Sequence, residues 1–298
     1  MTKTGTDSSR IFIIKGRGIL FDVVVCLLMV LTLLVCLIPF LYIIAMSFSS
    51  SNAILNSKVS LWPVGFTLDA YQRVWNYPNF FSAYGNTLIY TGLGTLISLT
   101  MTVMFAYPLS KNFLRGRNLV MKLIVFSMFF SGGMIPNYLL ISSLKLTGTR
   151  FAILLPFAIN QFNLIILINF FRALPDELEE AALIDGLNWF GILIRIVIPL
   201  SGPALATIGL YTAVFFWNDW FYSLIYLKSF QYPVMLLLRN IVHGGTTVGE
   251  AGGVGENSSL AIAVKSAVII ISTLPVILLY PFLQRYFVHG MTVGAIKG

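Results

Sequence analysis

Charged side chains are scarce in this chain, and their scarcity excludes an ordinary soluble domain. Only 10% of the 298 residues are charged, whereas 57% are hydrophobic and the mean hydropathy is +0.87. Soluble globular domains carry about 25% charged residues. Apolar runs of about 20 residues, the length that crosses a bilayer core as a helix, recur along the sequence. We therefore predict an all-α integral membrane protein.

Residues that would carry catalysis or hold a metal are equally rare. The two cysteines, Cys26 and Cys36, both fall in the first apolar run, where a disulfide framework is not expected. The glycine-rich run 244–255 lacks the Gly-Lys-Ser/Thr ending of a phosphate-binding loop. The basic residues form no run dense enough for nucleic acid. The sequence thus predicts no catalytic residue, no metal site and no cofactor on this chain.

Six apolar segments predict six transmembrane helices. They cover about residues 19–46, 83–109, 119–143, 151–171, 202–227 and 260–283. Between the first two we expect short interfacial helices, and residues 228–258 are predicted to form a glycine-rich loop. Proline lacks a backbone donor, so the prolines inside these segments should kink them. They are Pro39, Pro136, Pro156 and Pro275.

Most of the 19 Lys and Arg residues fall on one side of this topology. That side holds both termini and the loop between spans four and five, and the positive-inside rule assigns it to the cytoplasm. The predicted domains are a cytoplasmic N-terminal segment, residues 1–18, and a six-span domain, residues 19–298. The second includes a cytoplasmic loop at 173–200.

Five of the eleven acidic residues lie in that loop. Pro175 suits the first turn of a helix whose N-terminus favours carboxylates. Gly186 supplies the left-handed conformation that ends the helix. A second short helix, from about Asn188 to Val197, should run until Pro199. Composition alone favours a solvated loop between two membrane helices.

The residue pattern of this loop resembles the EAA loop of permease subunits in binding-protein-dependent ABC importers. Glu180-Ala181-Ala182 and Gly186 fit the family pattern, and Ile196-Val197-Ile198-Pro199 matches its ending except at the penultimate position. In that family the loop is the coupling helix, a helix–turn–helix that sits in a cleft of the cytoplasmic ATPase.

The loop also has the chemistry of a docking element. Its apolar side chains, from Ala181, Leu183 and Leu187 to Phe190, Ile194 and Val197, can fill a groove on a partner. Its carboxylates can pair with Lys or Arg residues there. We therefore predict ATPase coupling by Glu179, Glu180, Ala181, Ala182, Asp185, Gly186 and Pro199.

Further motifs extend the resemblance to about residues 20–298. The run 130–136, Trp217-Asn218 and the tail 294–298 resemble the MalG-like group, and Tyr232-Pro233 with Leu238-Arg239 resembles its LplC/YtcP branch of oligosaccharide permeases. The resemblance implies a multi-pass protein of the bacterial cytoplasmic (inner) membrane. The implied partners are a second permease subunit in a heterodimer, an ATPase dimer that binds ATP and Mg, and an extracytoplasmic solute-binding protein. The implied substrate is an oligosaccharide, in that branch commonly one with uronic acids.

A sugar pathway needs amides, hydroxyls and aromatic faces inside otherwise apolar spans. The candidates are Asn137 and Tyr138; Asn160, Gln161 and Asn163; Trp217, Asn218, Asp219 and Trp220; and Lys265. Other roles stay open for them. Buried amides also bridge helices, Asp219 can pair with a cation of the partner permease, and Lys265 can snorkel to the outer interface.

We predict the permease subunit of an ATP-driven importer that moves an oligosaccharide by alternating access. The alternative is a secondary transporter or channel that works without an ATPase, and the EAA-like loop argues against it. A membrane-embedded enzyme would need histidines and acids paired at one membrane depth, and the sequence shows no such set.

Overall fold

The computed structural model describes residues 19–250 and 260–278, and within these ranges the chain is helical without a strand. The predicted N-terminal segment, the end of span six and the C-terminal motif lie outside the described residues. Three described helices are long and apolar enough to cross a membrane, and two bent helix pairs raise the number to five if each forms one span. The all-α prediction is confirmed, whereas the count of six spans stays a prediction.

The first two long helices lie where the apolar runs predicted them. Helix α1 covers Ile19–Ser47 and α4 covers Phe80–Ser110. The short helices α2 (Ser51–Leu55) and α3 (Asp69–Trp75) occupy the polar segment between them, as expected. The apolar part of α1 is exposed, and its C-terminal end joins the bundle through Ser47, whose Oγ lies 2.9 Å from the hydroxyl of Tyr71.

Neither predicted span three nor predicted span four is one continuous helix. Helices α5 (Arg117–Phe129) and α6 (Met134–Ser143) are bent by 117° at a break that contains Gly133, with φ +86°. The next segment begins with α7 (Phe151–Leu154) and resumes as α8 (Gln161–Ala173) after an interruption that contains Pro156. The side chain of Asn160 caps the N-terminus of α8, so capping there competes with a continuous helix.

The acidic loop forms the predicted helix–turn–helix. Helix α9 covers Asp176–Ile184, and Gly186 follows it with φ +84°. The second arm comprises α10 (Trp189–Ile192), a π-helical segment (Leu193–Val197) and α11 (Ile198–Leu200). The arm therefore continues past Pro199, and the π segment widens the turn where that proline has no N–H to donate. An 81° bend then leads into α12 (Gly202–Asn218).

The predicted glycine-rich loop at 228–258 is wrong over much of its length. After α13 (Phe221–Tyr226) and a short 3-10 turn (Ser229–Gln231), helix α14 runs over Val234–Glu250. Val234, Leu236 and Leu238 are buried, and this packing outweighs the low helix propensity of the glycines that follow. Helix α15 (Leu260–Leu278) is the described part of predicted span six.

Helix α4 runs through each of the three apolar clusters that the described residues form. At its N-terminal end, Phe80 packs with α3, α14 and α15; in its middle, Tyr90 packs with α7, α12 and α13. At its C-terminal end, Tyr107 packs with α8, α9 and the second arm of the loop. One helix thereby connects the acidic loop to the opposite end of the bundle.

Candidate functional site

A cavity of about 620 Å³ opens between α4, α8 and α12. The three polar residues predicted for span four, Asn160, Gln161 and Asn163, all line it. They do so because α8 begins at Gln161, which places all three at the first turn of a helix rather than inside a longer one. The structure therefore brings this predicted cluster together at one concave surface.

Two of these amides have internal partners that fix their orientation. Asn160 Oδ1 accepts a hydrogen bond from the backbone N–H of Asn163 at 3.1 Å. Asn163 Nδ2 lies 3.5 Å from Thr212 Oγ1 on α12. The side chain of Gln161 has no hydrogen bond to another residue in the described part of the chain, so both ends of its amide are available to a ligand. Helix bridging and cavity lining, both left open by the sequence, coexist here.

A row of aromatic rings runs from this cavity towards α6. The ring centroid of Phe157 lies 4.9 Å from that of Phe215 and 4.5 Å from that of Tyr222. Tyr222 stacks on Tyr226 at 6.4 Å, and Tyr226 stacks on Tyr138 at 6.1 Å. Sequence reasoning named Tyr138 but missed the other four, whose contacts with one another come from packing between separate segments of the chain.

A second cavity of about 350 Å³ adjoins the first and shares Tyr211 and Phe215 with it. Asn218, Asp219 and Trp220, which were predicted to lie on the pathway, line this second cavity. The Asp219 carboxylate is nevertheless occupied internally. It accepts hydrogen bonds from the backbone N–H groups of Tyr222 and Ser223 and from Ser223 Oγ, at 3.1, 3.1 and 2.6 Å, and so starts α13.

Four predicted pathway residues line neither of these two cavities, and one of them is Tyr138, at the far end of the aromatic row. Trp217 is buried and donates its indole N–H to the carbonyl of Ser272 on α15 at 3.0 Å. Asn137 is exposed on α6, and Lys265 is half-buried on α15. Trp217 therefore joins helices, while Asn137 and Lys265 remain predictions without support from these cavities.

Arg239 is a basic residue beside the second cavity, and the sequence did not indicate that it lies there. Its guanidinium carbon lies 4.1 Å from the ring centroid of Trp220, a cation–π contact between α14 and the α12–α13 junction. No acidic side chain pairs with Arg239 in the described part of the chain. The guanidinium is held over the ring with its charge uncompensated by a salt bridge.

The acidic loop presents two different faces. Ala182 is buried against α4 and α8, whereas Glu180 and Ala181 are exposed. Ile184 has 86% of its surface exposed and Phe190 has 63%. The exposed apolar surface thus differs in part from the predicted one. Leu187 and Val197 pack into the bundle, whereas Ile184, which was not predicted to contribute, is exposed.

Glu179 was predicted to pair with a partner protein, and the structure gives it a partner within the chain. The residue is 7% exposed, and its carboxylate forms an ion pair with Nζ of Lys111, the residue that follows α4. The same Nζ lies 5.1 Å from the ring centroid of Tyr107. A helix of period 3.6 places Glu179 and Ala182 on one face, and that face packs inward, away from the exposed Glu180. The pairing of Lys111 with Glu179 was not predicted, because Lys111 is one of several basic residues in the loop after α4 and the sequence does not distinguish it from the others.

Two proteins of Bacillus subtilis resemble this chain over nearly its whole length. It is 45% identical to Protein LplC of Bacillus subtilis over 264 residues, which is 88% of this chain and 90% of that protein. It is 40% identical over 287 residues to the polygalacturonan/rhamnogalacturonan transport system permease protein YtcP of the same organism, covering 94% of this chain and 99% of that protein. No protein-family model matches the chain.

A solved structure has the same fold. It is that of a bacterial ABC transporter involved in the import of the acidic polysaccharide alginate, and one of its chains matches with a TM-score of 0.81 and 35% identity. The match covers 96% of this chain and all of that one.

Proposed function

Since this chain belongs to the family of ABC transporter permeases that serve oligosaccharide import, we propose that it moves a uronic-acid-containing oligosaccharide through the membrane by alternating access. In this proposal the chain pairs with a second permease subunit and receives its substrate from an extracytoplasmic solute-binding protein. ATP and Mg are bound by the ATPase dimer and not by this chain. The family makes a secondary transporter or channel the poorer alternative.

The observation that carries the proposal is the cavity lined by Asn160, Gln161 and Asn163 together with Phe157 and Tyr222. Amides exchange hydrogen bonds with sugar hydroxyls, and ring faces pack on the apolar faces of pyranoses. Its volume of about 620 Å³ falls in the range of about 300–1,000 Å³ for small-molecule pockets. A cavity with amides on one wall and aromatic rings on another suits a sugar better than an inorganic ion.

Coupling to ATP hydrolysis is supported by the outward face of the acidic loop. Exposed Ile184 and Phe190 offer an apolar surface, and exposed Glu180 and Asp185 offer charges that fix register on a basic cleft. This is the surface of a helix–turn–helix whose inner face is anchored in the bundle. We propose that the ATPase docks here on the cytoplasmic side and that both termini lie on the same side.

The acidic nature of the substrate is supported by the guanidinium of Arg239 over Trp220, beside the cavities. Arginine recognises carboxylates with paired N–H donors. YtcP is named for polygalacturonan and rhamnogalacturonan, and the related solved transporter imports alginate, an acidic polysaccharide. A uronate carboxylate is thus the group that Arg239 would meet.

The test is transport in vesicles that contain the whole complex. Gln161→Ala should raise the KM for the oligosaccharide about fivefold, because roughly 1 kcal/mol of hydrogen bonding is lost. The matched control is Asn169→Ala on the same helix, an exposed amide that does not line the cavity. An unchanged KM in Gln161→Ala, or an equal change in both variants, would count against this pathway.

A further inference from the structure

An ion pair shielded from solvent ties the acidic loop to the end of α4. Lys111 and Glu179 form it, with side chains that are 11% and 9% exposed, and no other salt bridge joins residues of the described ranges. Nζ of Lys111 also lies over the ring of Tyr107. An ion pair removed from water is often no more stabilising than apolar side chains of the same size, so stability alone does not account for it.

The end of α4 is held by two further helices. The carbonyl oxygen of Leu109 accepts a hydrogen bond from Arg117 Nε on α5 at 3.0 Å and another from Arg172 Nη2 on α8 at 3.4 Å. Ala182, three residues after Glu179, is packed in the same apolar cluster as Leu109. These contacts join the inner face of α9 to the end of α4 in one packed unit.

The same helix α4 forms a wall of the larger cavity. Ser98 lines that cavity and lies 13 residues before Lys111, which is about 20 Å along a helix. Helices α8 and α12, which form the other walls, pack against α4 between these two points. A displacement of α9 that carries the end of α4 with it therefore displaces the cavity wall.

We propose that Glu179 and Lys111 are positioning residues that transmit the movement of the acidic loop to α4, and that Glu179 takes no part in docking the ATPase. This inference rests on the proposed function, because it assumes an ATPase docked on the outer face of α9. Glu180, with its exposed side chain, belongs to the docking face, and Glu179, one residue away, belongs to the transmitting face. The two adjacent carboxylates thus have separate roles.

The experiment uses the complete reconstituted complex with its binding protein loaded with substrate. Three quantities are measured: the amount of ATPase that co-purifies, the rate of ATP hydrolysis, and the sugar transported per ATP hydrolysed. The variants are Glu179→Gln, Lys111→Met and the charge-swapped pair Lys111→Glu/Glu179→Lys. Glu177→Gln is the matched control, since Glu177 is an exposed carboxylate in the first turn of the same helix.

Each single variant should retain the ATPase at wild-type stoichiometry and lose about tenfold in sugar transported per ATP, within the range of coupling energies between sites. The swapped pair should recover most of the loss, and Glu177→Gln should match the wild type. If the pair only stabilised the fold, the single variants would lower the thermal stability of the complex without changing the amount of sugar transported per ATP hydrolysed.

Several results would overturn the inference. They are a wild-type ratio in Glu179→Gln, a folded Glu179→Gln permease that does not retain the ATPase, and a swapped pair that assembles without recovering transport. If the single variants yield no folded permease, the swapped pair decides, and its failure to fold would assign the pair a purely structural role. A wild-type complex that neither retains an ATPase nor moves sugar would instead refute the proposed function itself.

Discussion

The hydroxyl of Tyr84 on α4 donates a hydrogen bond to the carbonyl oxygen of Ile271 on α15, at 3.0 Å. Ile271 lies four residues before Pro275, which has no N–H to give to that carbonyl. A carbonyl in an apolar setting that lacks its helical partner is costly unless another donor supplies the bond. Tyr84 is therefore the group that allows a proline in the last described helix.

This relationship predicts a coupled pair of substitutions. Tyr84→Phe should lower the free energy of unfolding by about 1–3 kcal/mol, because it leaves the Ile271 carbonyl unpaired. In a Pro275→Ala background the same change should cost much less, since an alanine at this position would donate its backbone N–H to the Ile271 carbonyl. Thermal unfolding of the purified protein measures both, and Tyr42→Phe on the exposed surface of α1 serves as control. Equal costs in the two backgrounds would show that the hydrogen bond does not replace the missing donor.

A second prediction concerns the crossing of α4 and α12 at Gly94. A Cβ at this position would lie 2.5–2.7 Å from three ring atoms of Phe216, which is 1% exposed and has little room to move. Gly94→Ala should therefore destabilise the protein by about 1–3 kcal/mol through overpacking. Gly92→Ala, two residues earlier, meets nothing within 4 Å and should be neutral or stabilising. Comparable thermal midpoints for the two variants would argue against this close approach.

The turn of the acidic loop gives a third prediction. Gly186 has φ +84°, and no neighbouring atom lies within 4 Å of the position of a Cβ, so backbone conformation alone restricts it. Gly186→Val should cost about 1–2 kcal/mol locally and lower transport, because the left-handed conformation disfavours a β-branched residue. Gly186→Asn should retain most transport, since asparagine tolerates this conformation. Substrate-stimulated ATP hydrolysis at wild-type levels in Gly186→Val would contradict a coupling role for the turn.

The fourth prediction concerns the charge of the substrate. Arg239→Gln should reduce uptake of a uronic oligosaccharide about tenfold more than uptake of a neutral one of equal length, through loss of a charge-assisted hydrogen bond. Arg239→Lys should retain part of the preference. Arg73→Gln is the control, because Arg73 is exposed on α3 and, unlike Arg239, has no ring contact with a residue that lines either cavity in the described part of the chain. A parallel fall for acidic and neutral sugars would refute the role of Arg239 in substrate selection.

Local signals in the sequence predicted the elements whose ends are set locally. Pro175 and Gly186 bracket α9, because a proline just before the first helical residue and a left-handed glycine after the last one act through the backbone of their own segment. The clean apolar runs of α1 and α4 likewise match their helices. The amide cluster at 160–163 was found because polar residues stand out in an apolar span.

Features that depend on packing between segments could not be read in this way. The inward turn of Glu179 depends on how α9 lies against α4, and Glu179 and Glu180 look alike in sequence. The break before α8 depends on capping by the Asn160 side chain. A continuous helix through the same apolar segment competes with that cap, and the sequence pattern is the same for both. Helix α14 depends on burial of Val234 and its neighbours against α4, which outweighs glycine content that predicted a loop.

The most direct measurement is uptake of a labelled uronic oligosaccharide into vesicles that hold the full complex, with its binding protein on the side opposite to the ATPase. With ATP on the ATPase side, the sugar should accumulate above its external concentration. With a proton or sodium gradient and no ATP, it should not. Accumulation that follows an ion gradient and persists without the ATPase would contradict ATP-driven import and favour a secondary transporter.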